Sequence, residues 1–432
     1  MIFLKHKKII SFIVLISFVC LFCKESQQAD KSEKESANRR AFELAKKYYI
    51  EGDYKKAFVL YSKLLEIFPH DCYISRMRTK TLEAMGYIDE AVENYEALIA
   101  LNPDYKSAYK DLGFCYLLKG DFKKGYETHC AVGIDGSRGF KEGKSNFGRD
   151  ATLYDGRTDI AGKTILVIDE NGYGDFFQWI RYAKVIWQMG AKVVVKARKQ
   201  LIPFLSSCPY IDKLISLETS FKDFDFQIYS GELYRVFKSD EKTIPNDVPY
   251  FYADEKLVEY WARALSDNKD FKIGICWEPK AYFCKSADTF FKQHRAAPLS
   301  VFYPLSKLKH VTLYSLQKVN GLDQFHSVPK DFKLLFFKGD FDKASGRFSD
   351  TAAVMKNLDL VITIDTSIAH LAGALGVPVW VILPKVPDWR WMLDRDDSPW
   401  YPTMRLFRQK VSGDWEPVMA SIVENLKEII SI

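Results

Sequence analysis

Short apolar runs rich in β-branched residues punctuate the last two-thirds of the chain, each followed by a polar turn and a stretch with helical spacing. Thr164-Ile-Leu-Val-Ile168 reads as a buried strand. The turn Asp169-Glu-Asn-Gly-Tyr-Gly174-Asp175 follows it, then an amphipathic helix through Met189, closed by Gly190, and a second strand at Lys192-Val-Val-Val195. The pattern restarts at Lys272-Ile-Gly-Ile-Cys-Trp277 and at Thr312-Leu-Tyr-Ser-Leu-Gln317-Lys318. Asp350 to Asp359 then predicts an N-capped helix leading into Val361-Ile-Thr-Ile364, apolar throughout as a central parallel strand should be. Asp365-Thr366-Ser367 opens a helix carrying small residues at Ala369, Ala372, Gly373 and Ala374, which permit close packing. Gly376 and Pro378 end that helix before Val379-Trp-Val-Ile-Leu383. Strands alternating with helices in this way predict parallel sheets with right-handed crossovers.

Upstream the periodicity is different. Gly52-Asp-Tyr-Lys-Lys-Ala57, Gly86-Tyr-Ile-Asp-Glu-Ala91 and Gly120-Asp-Phe-Lys-Lys-Gly125 recur 34 residues apart, and Pro69 and Pro103 keep the same spacing. This is the period and punctuation of tetratricopeptide repeats, helix pairs that stack because one pair cannot bury its own apolar face. Ala57, Ala91 and Gly125 fit close helix crossings, and Tyr61, Tyr95 and His129 occupy equivalent packing positions. Such an array offers a surface to a protein, peptide or glycan acceptor or partner. Glycine-rich Asp135 to Gly148 reads as a boundary linker. The organisation expected is therefore an N-terminal segment over 1–23, a polar linker over 24–37, repeats over 38–134, a linker over 135–160, and two α/β halves over 161–268 and 269–432.

Lys5, Lys7 and Lys8 precede an apolar run from Ile9 to Cys23, and polar Lys24 to Asp30 follows. This is the layout of a signal peptide, or of an uncleaved membrane anchor. Cys23 stands where a lipoprotein cysteine would, although Phe22 is large for that processing. The basic flank favours export of the body; without such a signal the body would lie on the cytoplasmic side.

Composition narrows the chemistry only a little. Net charge is +6 over 62 basic and 56 acidic residues, with no arginine-rich or glycine-aromatic stretch, so nucleic acid is not an expected partner. The eight cysteines lack metal-ligand spacing. Gly162-Lys163-Thr164 does not make a phosphate loop, since its strand follows the motif instead of preceding it. Asp394-Arg-Asp-Asp397 is acidic but sits among tryptophans and prolines, as a structural loop would.

The turn at Asp365 is the strongest candidate site. A helix N-terminus with free N–H groups at the carboxyl edge of a parallel strand favours an anion. Asp365-Thr-Ser-Ile-Ala-His370-Leu-Ala resembles the nucleotide-sugar-binding segment of the ADP-heptose:lipopolysaccharide heptosyltransferases, glycosyltransferase family nine. The resemblance extends through Pro387-Asp-Trp-Arg-Trp to Gly413-Asp-Trp-Glu-Pro417, a tail similar to that of bacterial proteins fusing tetratricopeptide repeats to a transferase-like module. Tyr314-Ser-Leu-Gln-Lys318 and Gly172-Tyr-Gly-Asp175 are similar to family segments too, so the likeness runs from about Tyr154 to the C-terminus.

The resemblance implies a GT-B fold of two Rossmann-like domains after the repeats, and metal-independent, inverting transfer of a sugar from a nucleotide diphosphate donor to a hydroxyl, with no cofactor beyond that substrate. Asp175 would be the catalytic base; the alternative is that it only caps its helix. Gly172 and Gly174 would let the donor approach the backbone. Asp365, Thr366, Ser367 and His370 would hold the diphosphate, with Arg295 and Lys318 offsetting its charge and Gln317 reading the base. Gln178, Trp179 and Arg181 would line the acceptor side. Glu278-Pro279 departs from the family's small residues, and a glutamate there would repel a pyrophosphate. That departure and the export signal support another reading, a degenerate transferase module in a repeat scaffold that binds partners.

Overall fold

The computed structural model describes residues 31–130, 152–279 and 295–430. The expected address at 1–23 with Cys23, residues 135–151 of the linker, and the aromatic stretch up to His294 lie outside the described residues. Among the described residues, no helix is long and apolar enough to cross a membrane. The chain divides into two compact units, Met1–Ala108 and Tyr109–Ile432.

The first unit is helical. Lys31–Glu51, Tyr54–Ile67, Cys72–Met85 and Ile88–Leu101 pack each on the next, and Lys106–Leu118 starts at the unit's end. The first of these begins inside the stretch expected as a polar linker, because lysine, glutamate and alanine are good helix formers, and further along it buries Ala45 and Tyr49. The 34-residue period is visible in backbone geometry. Gly52, Gly86 and Gly120 take φ of 82°, 89° and 82°. The next residue's N–H then reaches back to the carbonyl of Tyr48, Leu82 or Tyr116 at 2.9–3.0 Å. Each is the same left-handed glycine stop. Asp53 and Asp121 cap the following helices through the N–H groups of Lys56 and Lys124, at 3.3 and 3.1 Å. Ala57, Tyr61, Ala91 and Tyr95 are fully buried, as packing positions must be.

The second unit holds two parallel sheets. The four-stranded sheet runs β3-β2-β1-β4, with β1 at Thr164–Ile168, β2 at Lys192–Ala197, β3 at Lys213–Ser216 and β4 at Phe226–Tyr229. The six-stranded sheet runs β10-β9-β8-β5-β6-β7. Its strands are β5 Phe271–Cys276, β6 Val311–Ser315, β7 Leu335–Phe336, β8 Leu360–Ile364, β9 Val379–Leu383 and β10 Met404–Arg408. Register is set by apolar pairs such as Ile165 with Val193, Ile362 with Trp380, and Ile273 with Leu360. Every residue of β8 and β9 is buried, which is why those strands carry no alternation.

Three expectations change here. The helix after β1 is broken into Tyr173–Trp179 and Arg181–Gln188. At the break, the Phe177 carbonyl accepts the Tyr250 hydroxyl at 2.8 Å and the Gln178 carbonyl accepts Arg181 Nε at 2.8 Å. The helix expected from Asp350 is Ser349–Met355, and Asp350 does not cap it. That carboxylate is buried and accepts from Trp261 Nε1 at 2.9 Å and the Asp342 N–H at 2.8 Å, tying down the preceding loop. Finally, the helix Phe122–Cys130, expected as the close of the repeats, is built into this unit's core. Phe122 lies against Trp389 and Trp400, and Tyr126 against Tyr234. His129 packs edge-on to Phe114 at 4.7 Å over Gly113, filling a repeat position.

Candidate functional site

In each sheet the chain runs outward from one strand and then returns to that strand's other side. The reversal points lie between β1 and β4 and between β5 and β8. Crevices at the carboxyl ends of such strands are where open α/β sheets bind ligands. The helix after β1 and the helix Ser367–Ala374 after β8 both start at these points, and their first turns touch. A Cβ on Gly174 would stand 2.9 Å from His370 Cδ2 and 3.5 Å from the Ser367 Cα. Thr366 caps the second helix, its hydroxyl accepting the Ile368 N–H at 3.3 Å. Gly172, Gly174, Asp175, Thr366, Ser367 and His370 are therefore brought together from two sheets, and two sets of helix N–H groups meet there.

A chain of alternating charges crosses this junction. Asp175 Oδ2 accepts the Gly172 N–H at 3.0 Å, the capping bond, while Oδ1 pairs with Arg390 Nη2 at 2.5 Å. Arg390 also pairs with Asp388 through Nη1 at 2.9 Å and donates from Nε to Gln178 Oε1. Its guanidinium lies over the Trp179 and Trp389 rings, at 5.3 and 5.1 Å. On the other side Arg295 Nη1 pairs with Asp365 Oδ2 at 2.8 Å, so these two candidates meet each other. Burial would lower the Arg390 and Arg295 guanidiniums, but the surrounding aspartates hold both above their ordinary values. Burial would likewise raise Asp388, and Arg390 with Arg295 holds it below the usual carboxylate range. The two arginines and Asp388 thus favour each other's charged forms.

His370 is buried, stacked on Trp391 with ring centroids 5.3 Å apart, and its Nδ1 lies 2.9 Å from the Tyr401 hydroxyl. Burial, seconded by the Arg390 cation, lowers its pKa to about 3. The imidazole is neutral at physiological pH and can only exchange hydrogen bonds there.

Other candidates sit elsewhere. Gln317 is a clamp for the loop after β5. Its Oε1 accepts the N–H groups of Trp277 and Glu278 at 3.1 Å, and its Nε2 donates to the carbonyls of Glu278 and Asn320 at 2.9 and 2.8 Å. An amide so engaged has no donor left to read a base. Lys318 donates to Asp342 Oδ2 at 2.8 Å and to the Phe341 carbonyl at 3.0 Å. Glu278, the residue that departs from the family pattern, accepts from Gln324 Nε2 at 2.6 Å. Gln178, Trp179 and Arg181 do not line an open acceptor face, because all three are buried. Arg181 donates to the Trp400 carbonyl at 2.6 Å and the Tyr250 hydroxyl at 3.0 Å, enclosed by the rings of Tyr250, Trp400 and Tyr401. In the acidic loop Arg395 pairs with Asp397 and Glu241. Among the described residues no three His, Cys, Asp or Glu side chains gather as metal ligands would.

The sequence alone assigns no role to Asp388, Arg390, Trp391 or Tyr401. The signal for Arg390 was a charged Asp-x-Arg inside Asp388-Trp-Arg-Trp391, where flanking tryptophans imply burial and hence a paired cation. Nothing local marks Tyr401.

No family model matches the chain. Protein FlbA of Caulobacter vibrioides is 21% identical over 296 residues, covering 62% of this chain and 47% of that relative. The chain thus spans about half the length of the curated relative it matches. Among solved structures it is similar to the Escherichia coli ADP-heptose lipopolysaccharide heptosyltransferase II, with 14% identity, 62% of this chain and 98% of that one covered, and a TM-score of 0.45. It is also similar to a glycosyl transferase family 9 protein of Veillonella parvula, with 11% identity, 63% and 91% covered, and a TM-score of 0.42.

Proposed function

We propose that the second unit is a GT-B glycosyltransferase module that binds a nucleoside diphosphate sugar at the junction of its two sheets and transfers the sugar to a hydroxyl acceptor. One observation carries the reading: the first turns of two helices, each at a strand-order reversal, meet at Gly174, Ser367 and His370. Two helix N-termini with Arg295 and Arg390 beside them form a favourable place for a diphosphate. Thr366 and Ser367 would present hydroxyl and N–H groups to it, and His370 a neutral ring nitrogen. Asp175 stands at the edge of the same junction as the proton acceptor for the attacking hydroxyl. To act it must exchange part of its Arg390 pairing, and arrival of an anion that draws Arg390 towards itself supplies that exchange. Attack opposite the leaving diphosphate inverts the anomeric centre, and the guanidiniums and helix ends carry the leaving charge without a metal. The repeats would recruit the acceptor or a partner, and the basic-apolar N-terminus would fix the chain at or across a membrane.

Calorimetric titration of the full chain with nucleoside diphosphates and their sugar conjugates tests this. Saturable binding, weakened at least tenfold by Arg295→Met and by His370→Asn, is expected. A folded chain that binds none of the panel overturns it.

One observation favours the scaffold reading. Asp175, Arg390, Asp365 and Arg295 are already paired within the chain, so the site is self-satisfied as it stands. On that reading the same titration is flat while the repeats still capture a partner.

A further inference from the structure

The polar groups beneath His370 form one directed chain, and its direction can be worked out donor by donor. Arg181 is buried and can only donate. It gives Nη2 to the Tyr250 oxygen at 3.0 Å, and its guanidinium lies 4.6 Å from the Tyr401 ring centroid. Tyr250 has one proton. Its best acceptor is the Phe177 carbonyl at 2.8 Å, against 3.4 Å to the Tyr401 oxygen. The Tyr401 proton then has two destinations, the Tyr250 oxygen at 3.4 Å or His370 Nδ1 at 2.9 Å. Distance favours His370, and so does chemistry. A phenol (pKa about 10) is a stronger donor than a neutral imidazole N–H, and an imidazole nitrogen (pKa about 6.5) is a far better acceptor than a phenol oxygen. Packing holds the pair in place: a Cβ on Gly373 would fall 2.4 Å from Tyr401 Cδ1, so only glycine lets that ring lie under His370.

We infer that Tyr401 is a positioning residue that fixes His370 as the Nε2–H tautomer, so that the imidazole presents a hydrogen-bond donor, and never an acceptor, at the junction beside Gly174. The Nε2 edge faces that junction, since a Cβ on Gly174 would stand 3.6 Å from it. A group reaching His370 must therefore offer an acceptor, an oxygen with a free lone pair. On the donor-binding reading above, on which this identification of the ligand atom rests, that oxygen belongs to the diphosphate of the nucleotide sugar, and the tautomer selects for it without adding a charge.

The tautomer is measurable without any ligand. The full chain carries seven histidines, and the His370 signals are those missing from His370→Asn in a two-bond nitrogen–proton spectrum of ¹⁵N-histidine-labelled protein. Wild type is expected to show a pyridine-type Nδ1 and a pyrrole-type Nε2 for His370. In Tyr401→Phe, which keeps the ring and its packing, this pattern should collapse to a mixture of tautomers. A wild-type spectrum with the proton on Nδ1, or a Tyr401→Phe spectrum identical to wild type, overturns the assignment. Adding the nucleotide-sugar panel separates the two readings. Tautomer as stated with no binding refutes the donor site alone, whereas binding with the opposite tautomer refutes only the role of Tyr401. If both hold, Tyr401→Phe should weaken donor binding about tenfold.

Discussion

Acidification should destabilise the second unit through His370 in a way that one substitution removes. In the folded chain the imidazole is buried against Trp391 and near Arg390, and its pKa is lowered to about 3 from an ordinary 6.5. Above pH 6.5 neither folded nor unfolded chain protonates it, and it contributes nothing to pH dependence. Below 6.5 the unfolded chain takes up a proton that the folded chain refuses, so stability falls as pH falls, until the folded pKa is reached. Each pH unit in that window corresponds to about 1.4 kcal/mol. Between pH 7 and pH 5 the loss attributable to His370 is therefore roughly 2 kcal/mol. His370→Asn keeps an acceptor for the Tyr401 hydroxyl near the Nδ1 position but cannot titrate. Urea unfolding followed by tryptophan fluorescence, run on both proteins at several pH values, isolates the term as a difference in slope, because all carboxylate contributions are shared. The wild-type midpoint should drop more steeply than the variant's between pH 6.5 and 5, irrespective of any constant offset between them. Parallel curves would mean that His370 titrates normally, and would refute the burial and cation argument together.

Three other perturbations follow from the same geometry. Arg390→Met removes the cation paired with Asp175 and leaves buried Asp388 with Arg295 as its remaining counter-charge, and should destabilise by about 3 kcal/mol or more in urea unfolding; a change below 1 kcal/mol would mean the pairs are not formed in solution. Gln317→Glu keeps the oxygen that accepts from the Trp277 and Glu278 N–H groups but turns the Nε2 donors into a carboxylate oxygen facing the Glu278 and Asn320 carbonyls. It should lower the thermal midpoint by several degrees, equivalent to about 1–3 kcal/mol, whereas a base-reading glutamine would shift nucleotide preference and leave stability alone. Gly174→Ala places a methyl 2.9 Å from His370 Cδ2, so overpacking should cost about 1–3 kcal/mol and reduce ligand affinity, readable by denaturation and titration of the same sample.

How far the sequence reached depended on the range of the interaction that decides each feature. β8, β9 and the glycine-stopped helices were legible because burial and φ act within a few residues of Val361, Val379 or Gly86. The meeting of Gly172-x-Gly174-Asp175 with Asp365–His370 was legible only through resemblance, since nothing in either segment names the other. The break at Ile180 was not, because the group that takes the Phe177 carbonyl is the hydroxyl of Tyr250, 73 residues away. Arg390 was hidden for the same reason, its partner Asp175 lying 215 positions upstream. For Gln317 and Lys318 the sequence does not show the partners: a polar residue at a strand end looks the same whether it faces a ligand or bonds, as these two do, to nearby loops. Phe122 shows the limit of repeat logic, for its period assigns it to the array while its ring packs with Trp389 and Trp400.

If Asp175 and the Asp365–His370 turn serve one reaction, donor turnover reports on both at once. The full chain should be incubated with radiolabelled nucleotide sugars, with nucleoside diphosphate release followed for wild type and Asp175→Asn. One donor class should be consumed by wild type, and Asp175→Asn should bind that donor with affinity within a few-fold of wild type but release diphosphate about 100-fold more slowly, as loss of a general base requires. Equal turnover by Asp175→Asn, or tight binding of every donor with turnover of none, would contradict a shared reaction.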